Sequence, residues 1–150
     1  MEGVQLDEIG KKDSHVKLVF RGVFAANTLP NNLLVHNVAI VNCCNKNLPG
    51  QHWVAICQTD EHTLEFFDSF GQPPSAYNLQ RKLPTSRHIV FNTMTLQHIE
   101  SEVCGQYCLY YCYYKARGWP MNQLLYQNFS NDTLNNDSRV VSIVNKLFKL

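Results

Sequence analysis

Apolar residues in this chain come in short runs separated by turn-forming residues. Lys17 to Phe24 (KLVFRGVF) is apolar and β-prone, Thr28-Leu-Pro-Asn-Asn32 carries turn residues, and Asn37 to Asn42 (NVAIVN) reads as a short buried strand. Leu48-Pro-Gly-Gln51 reads as a turn. His52 to Gln58 (HWVAICQ) and Thr63 to Asp68 (TLEFFD) then read as strands, with polar Thr59-Asp60-Glu61 between them as a hairpin connection. Gly71, Pro73 and Pro74 end that unit. Tyr77 to Lys82 reads as a short helix and Arg87 to Thr93 as a further strand.

The pattern changes at Cys104. From there to Arg117 (CGQYCLYYCYYKAR) the chain is apolar and aromatic, with no Gly or Pro after Gly105 until Gly118 and Pro120. Aromatic content favours a strand, but the length favours a largely buried helix. A polar loop follows. Ser138 to Leu150 reads as an amphipathic helix, with Val140, Ile143, Val144 and Leu147 at helical spacing and Ser138 as its cap. Residues 1–13 form a polar lead-in with room for a short helix. Strands interleaved with helices in a chain of 150 residues indicate one α+β domain: a small mixed sheet packed against the Cys104 helix.

Composition narrows the function classes. The chain is 45% hydrophobic and 17% charged, enough apolar surface for a packed core. The formal net charge is +1, which gives no electrostatic basis for tight nucleic-acid binding. No apolar run reaches the length of a membrane span and no leader is read, so an intracellular, reducing setting is expected. The six cysteines are then expected to be mostly thiols, and the sequons at Asn128, Asn131 and Asn136 to stay unused. Cys104, Cys108 and Cys112 lie near one helix face, but zinc-ligand spacing is missing, so no metal is expected. The tyrosines from Tyr107 to Tyr114 run all round the helix, as core residues do. Adjacent Cys43 and Cys44 read as a strand end.

A cysteine nucleophile needs a lowered pKa, a base and an oxyanion hole. Cys104 at the start of a helix meets the first need, because unpaired N–H groups and the helix dipole favour the thiolate. The same N–H groups can hold an oxyanion, and Gly105 would let a substrate backbone approach. A hairpin symmetric about Asp60 places His52 directly opposite Asp68. That face also carries Val54, Ile56, Leu64 and Phe66. A carboxylate there fixes the imidazole tautomer and stabilises imidazolium. Gln97, in the loop entering the helix, is an uncharged amide donor suited to an oxyanion. Taken singly, these residues read as a core thiol, a strand-start histidine, a turn aspartate and a loop glutamine.

Taken together they resemble the adenovirus maturation protease family of cysteine peptidases. The matching stretches, in order, are Ala39-Ile-Val-Asn42, Gly50-x-His52-Trp53, Phe67-Asp68-x-Phe70-Gly71 and Leu96-Gln97-x3-Ser101-x2-Cys104-Gly105. Trp119-Pro120 and the final helix are also similar, so the resemblance runs from Gly22 onward. It implies the adenain/papain-like fold, Cys104 as nucleophile, His52 as base and Asp68 as orienting acid. Gln97 and the Cys104 backbone N–H would form the oxyanion hole, with Trp53 and Gly105 in substrate binding. Implied substrates are viral precursor (capsid and core) proteins cut at Gly-containing sites, by a monomer in the virion or at a nuclear or cytoplasmic assembly site.

Three departures mark a divergent member, from an adenovirus-like virus or mobile element. Asp68 replaces the family's Glu, the segment between Pro74 and Pro84 is shorter, and no Cys lies between Cys57 and Cys104 to tether an activating peptide. No cofactor is expected, and DNA or peptide activation enters by resemblance only. Peptidases of ubiquitin-like proteins share the fold and residue order, but place Gln one residue closer to Cys, with Asp immediately before Cys. Here Val103 occupies that position. An idle interaction domain would have no need for all four residues.

Overall fold

The structure, a computed structural model, describes residues 1–43, 52–83 and 87–150. The turn read at Leu48–Gln51, Cys44, Pro84 and Ser86 lie outside the described residues. The elements are α1 (Gly3–Gly10), α2 (Val16–Val19), β1 (Phe20–Ala25), β2 (Val38–Asn42), β3 (Trp53–Gln58), β4 (Thr63–Phe67), β5 (His88–Phe91), α3 (Cys104–Lys115), α4 (Met121–Asn128) and α5 (Thr133–Leu147). The strands form one sheet in sequence order. Its outer pairs, β1 with β2 and β4 with β5, are parallel, and its inner pairs are antiparallel. The fold is therefore mixed α+β, as the sequence indicated.

Alternation along the strands sorts side chains onto two cores. Val38, Ile40, Trp53, Ala55, Cys57 and Phe67 face α3 and α5. Ala39, Val41, Val54, Ile56, Leu64 and Phe66 face the opposite side, under Leu33, Leu79 and Leu83. Every residue of β3 is buried, which explains its unbroken apolar run.

The central helix is fixed at both ends. Lys115 pairs with Glu65 at 3.2 Å, and the Tyr111 hydroxyl donates to the same carboxylate oxygen at 2.6 Å. The Tyr111 ring stacks on Phe67 with centroids 4.8 Å apart. Arg117, just past the helix, forms a two-pronged pair with Asp13 at 2.8 and 3.0 Å. At the other end α1 closes over Gly105, where an added Cβ would meet Leu6 Cδ2 at 3.1 Å. The aromatic helix therefore has little freedom to displace its first residue, Cys104.

Several boundaries differ from the sequence reading. The Lys17–Phe24 run starts as a helical turn, because the Asp13 carboxylate accepts from the N–H groups of His15 and Val16 and delays the strand to Phe20. The helix expected at Tyr77–Lys82 is instead a short 3₁₀ helix, Pro74–Tyr77, stopped where Asn78 turns left-handed at φ 58°. The polar loop after Pro120 contains α4, with Leu124 and Leu125 buried. The last helix begins at Thr133 rather than Ser138, capped by Asp132, whose carboxylate accepts from Asn135 N–H at 3.1 Å. Its first turns are polar, so apolar periodicity does not reveal them.

Candidate active site

The hairpin that carries His52 and Asp68 is not symmetric about Asp60. Ala55 pairs with Phe67 and Ile56 with Phe66, a register two residues away from the expected one. A shift of two preserves the faces, since side chains alternate with a period of two. His52 thus sits diagonal to Asp68 rather than directly opposite, and the longer diagonal is spanned by the imidazole. His52 Nε2 lies 2.7 Å from Asp68 Oδ1. The correction lies in the turn: Gln58 Nε2 donates to Thr63 O at 3.2 Å and Asp60 Oδ1 accepts from His62 N–H at 2.8 Å, closing it on other residues.

Asp68 is wholly buried and held from several directions. Its N–H donates to Asn92 Oδ1 at 2.9 Å, and Asn92 Nδ2 donates to its carbonyl at 2.6 Å. Its second carboxylate oxygen accepts from Gln72 N–H at 3.1 Å and from the Tyr77 hydroxyl at 2.7 Å. Gly71 makes the turn behind it. Gly71 has φ 73°, and a Cβ there would meet the carbonyl oxygens of Thr93 and Met94 at 2.8 Å, so this motif glycine is sterically required. The His52 ring lies between Phe70 and Tyr77, with centroids 5.0 and 5.2 Å away.

Cys104 opens α3 and hydrogen bonds to the His52 ring. With Nε2 engaged by Asp68, Nδ1 is the ring nitrogen that serves the thiol. Burial pushes the Cys104 thiol up, but the His52 hydrogen bond and charge, with the N–H groups of Trp53 and Gly105, bring it below its usual value. Burial likewise pulls the imidazole down, and is outweighed by hydrogen bonds and charge from Asp68 and Cys104, which hold it at about 9. The two shifts describe one event: a proton moved from sulfur to imidazole forms an ion pair beside a buried carboxylate.

Gln97 is buried in the loop before α3, and Ser69 ties it to the triad. The Ser69 carbonyl accepts from the N–H groups of Leu96 and Gln97, and the Ser69 hydroxyl donates to Gln97 Oε1 at 2.6 Å. Gln97 Nε2 donates one proton to Ser101 O at 2.9 Å. This fixes the amide orientation and leaves its second N–H for another acceptor.

Trp53 and Gly105, expected in substrate binding, are both covered by the N-terminal segment. The Trp53 indole is buried, and its Nε1 donates to Met1 O at 3.1 Å. It faces the helix side because it sits at an odd position of β3, and its backbone N–H bonds the Cys104 thiol. The space above Gly105 is filled by Leu6 and Met1 of the chain itself. Sequence reasoning also missed Ser69, Tyr77 and Asn92. Ser69 and Asn92 look like ordinary turn residues, and Tyr77 lies in a segment without clear periodicity. Cys108 and Cys112 are buried behind Cys104, and burial raises both thiols well above the usual range. Among the described residues no group of His, Cys, Asp or Glu is arranged to hold a metal.

No protein-family model matches the chain. The protease of Bovine adenovirus 4 is 31% identical over 135 residues, an alignment that covers 77% of this chain and 67% of that protein. Among solved structures, the central domain of an uncharacterized protein from Legionella pneumophila has a TM-score of 0.53 at 14% identity, covering 99% of this chain and 97% of that domain. An ASFV protease has a TM-score of 0.43 at 20% identity, and this chain spans 43% of its length. The Legionella domain shows a shared fold, and the bovine viral enzyme shows descent: the chain belongs to the adenovirus protease family of cysteine peptidases.

Proposed function

We propose that the chain is a cysteine endopeptidase that cuts viral precursor proteins at small-residue, Gly-containing sites during virion maturation. The observation that carries this reading is His52, joined on one side to buried Asp68 and on the other to Cys104 at a helix N-terminus. The Cys104 thiolate attacks the scissile carbonyl carbon. The resulting oxyanion is met by the free N–H of Gln97 and the backbone N–H of Cys104. The His52 imidazolium passes its proton to the leaving amine, giving a thioester. Water then attacks with His52 as base and regenerates the thiolate.

The viral setting rests on the Bovine adenovirus 4 protease. Among the described residues no helix is long and apolar enough to cross a membrane.

The test is turnover of a Gly-containing peptide and of a ubiquitin-like conjugate, side by side in reductant. The peptide should be cleaved with no metal, DNA or activating peptide added. Cleavage of the conjugate alone would replace the maturation reading with the ubiquitin-like one. Turnover that requires DNA and disappears as salt rises would show a local basic face overriding the net charge of +1. Gln97→Ala should lower kcat by about 10²–10³ with little change in KM, the usual loss for one oxyanion donor. An effect confined to KM would make Gln97 a substrate-binding residue instead.

A further inference from the structure

The loop that carries Gln97 does not hold its shape alone. Ser69 fixes it from the sheet side, as described above. From the other side it meets α5, far along the chain. Asn136 is fully buried, and its Nδ2 donates to Leu96 O at 3.1 Å, the carbonyl of the peptide unit entering Gln97. Asp137, the next residue, accepts from the N–H of His98, which belongs to the peptide unit leaving Gln97, at 3.3 and 3.4 Å. The same carboxylate accepts from the Tyr107 hydroxyl at 2.8 Å. Tyr107 lies on α3, one helical turn beyond Cys104, and is itself fully buried. Both peptide units flanking Gln97 are thus gripped by adjacent residues of α5, and the grip is joined to the helix that bears the nucleophile.

We propose that Asp137, supported by Asn136, is a positioning residue for the oxyanion donor Gln97: it fixes the Leu96–His98 backbone relative to α3 and so sets the distance between the Gln97 amide and Cys104. The proposal rests on the reading of Gln97 as that donor. An oxyanion donor acts only if it is in place before the charge develops, and its benefit falls steeply with displacement. Hydrogen bonds from a neighbouring helix are a direct means of holding a loop in place. Asn136 also stands in an Asn-x-Ser sequon, yet its amide donates to Leu96 O and to Ser130 O at 2.8 Å, so in the folded protein it serves the loop rather than a glycan.

The test uses the whole chain and measures peptide turnover for Asp137→Ala, Asp137→Asn, Gln97→Ala and the double variant Gln97→Ala/Asp137→Ala. Alkylation of Cys104 by iodoacetamide is followed in parallel across pH. Alkylation needs the thiolate but no oxyanion hole, so it separates positioning of Gln97 from general disorder. Asp137→Ala should lower kcat roughly tenfold, a fraction of the value of the donor itself, with KM and the alkylation profile unchanged. Asp137→Asn, which keeps an acceptor oxygen, should recover most of that loss. In the Gln97→Ala background, Asp137→Ala should cost nothing further, because both changes act through the same donor.

An equal, additive loss in both backgrounds, or slowed alkylation, would overturn the proposal and leave Asp137 a purely structural residue. Wild-type kcat in Asp137→Ala while Gln97→Ala is slow would overturn the proposal alone. Wild-type kcat in Gln97→Ala would remove the reading on which it rests. If Asp137→Ala does not fold, Tyr107→Phe decides: it removes one donor to Asp137 and keeps the ring. A few-fold drop in kcat that vanishes in the Gln97→Ala background supports the proposal, and an unchanged or additive kcat overturns it.

Discussion

Cys104→Ala is expected to abolish peptide hydrolysis while leaving the fold intact. The loss should be total within detection, because Cys104 is the thiol hydrogen-bonded to the His52 ring and forms the thioester. Cys108→Ala and Cys112→Ala should retain activity, although each removes a buried side chain and should lower stability modestly. The contrast follows from environment rather than residue type. All three thiols lie on one helix, and burial raises each of them. Only Cys104 has an imidazole and two backbone N–H groups to reverse that effect. Cys57, on β3, is pushed up to about 12, chiefly by burial. Limited iodoacetamide near neutral pH should therefore label Cys104 first, with activity lost in step. Preferential labelling of Cys43 or Cys57, with turnover retained, would remove Cys104 from the role.

The grouping of His52, Asp68 and Cys104 was legible in the sequence because it depends on parity and on one helix start. His52 and Asp68 both occupy even positions flanking a hairpin, so a register error of two residues moved their contact from lateral to diagonal without separating them. An error of one would have placed them on opposite faces. The start of α3 was visible because an apolar run begins at Cys104 and ends at Gly118, which takes φ 82° just past the helix. The surroundings of Trp53 and Gly105 were not legible, for a different reason. Their neighbours in the sequence are catalytic candidates, but the groups above them, Met1, Gly3 and Leu6, are distant in the chain. No local pattern reports that α1 folds over this end of the sheet. The same holds for Tyr77, Asn92, Asn136 and Asp137, polar residues whose partners lie across tertiary contacts. The start of α5 was hidden because its first turns bury an asparagine instead of an apolar residue.

Asp68→Asn should lower kcat by about 10²–10⁴, the range for a group that supports acid–base transfer. The surroundings of the carboxylate make this near-isosteric change severe. Three donors converge on it: His52 Nε2, the Gln72 N–H and the Tyr77 hydroxyl. Asparagine offers one acceptor oxygen. The Gln72 N–H cannot turn away, so the oxygen is drawn to that side and the NH₂ group is left facing Nε2. Imidazolium, with an N–H on both nitrogens, then loses its partner and the nearby negative charge. The pH profile gives the sign. In the native enzyme His52 is held at about 9 and Cys104 below its ordinary value, so the ion pair spans the interval between them. Activity should rise as the thiol deprotonates and fall near pH 9 as imidazolium loses its proton. Without the Asp68 charge the imidazole drops, so the alkaline limb moves down and the bell narrows from that side. Asp68→Glu should be milder, since it keeps both acceptor oxygens and the charge. The measurement is kcat/KM against pH for the three proteins, alongside thiol alkylation over the same range. An Asp68→Asn enzyme with native activity and an unmoved alkaline limb would reduce Asp68 to a turn residue that happens to touch His52.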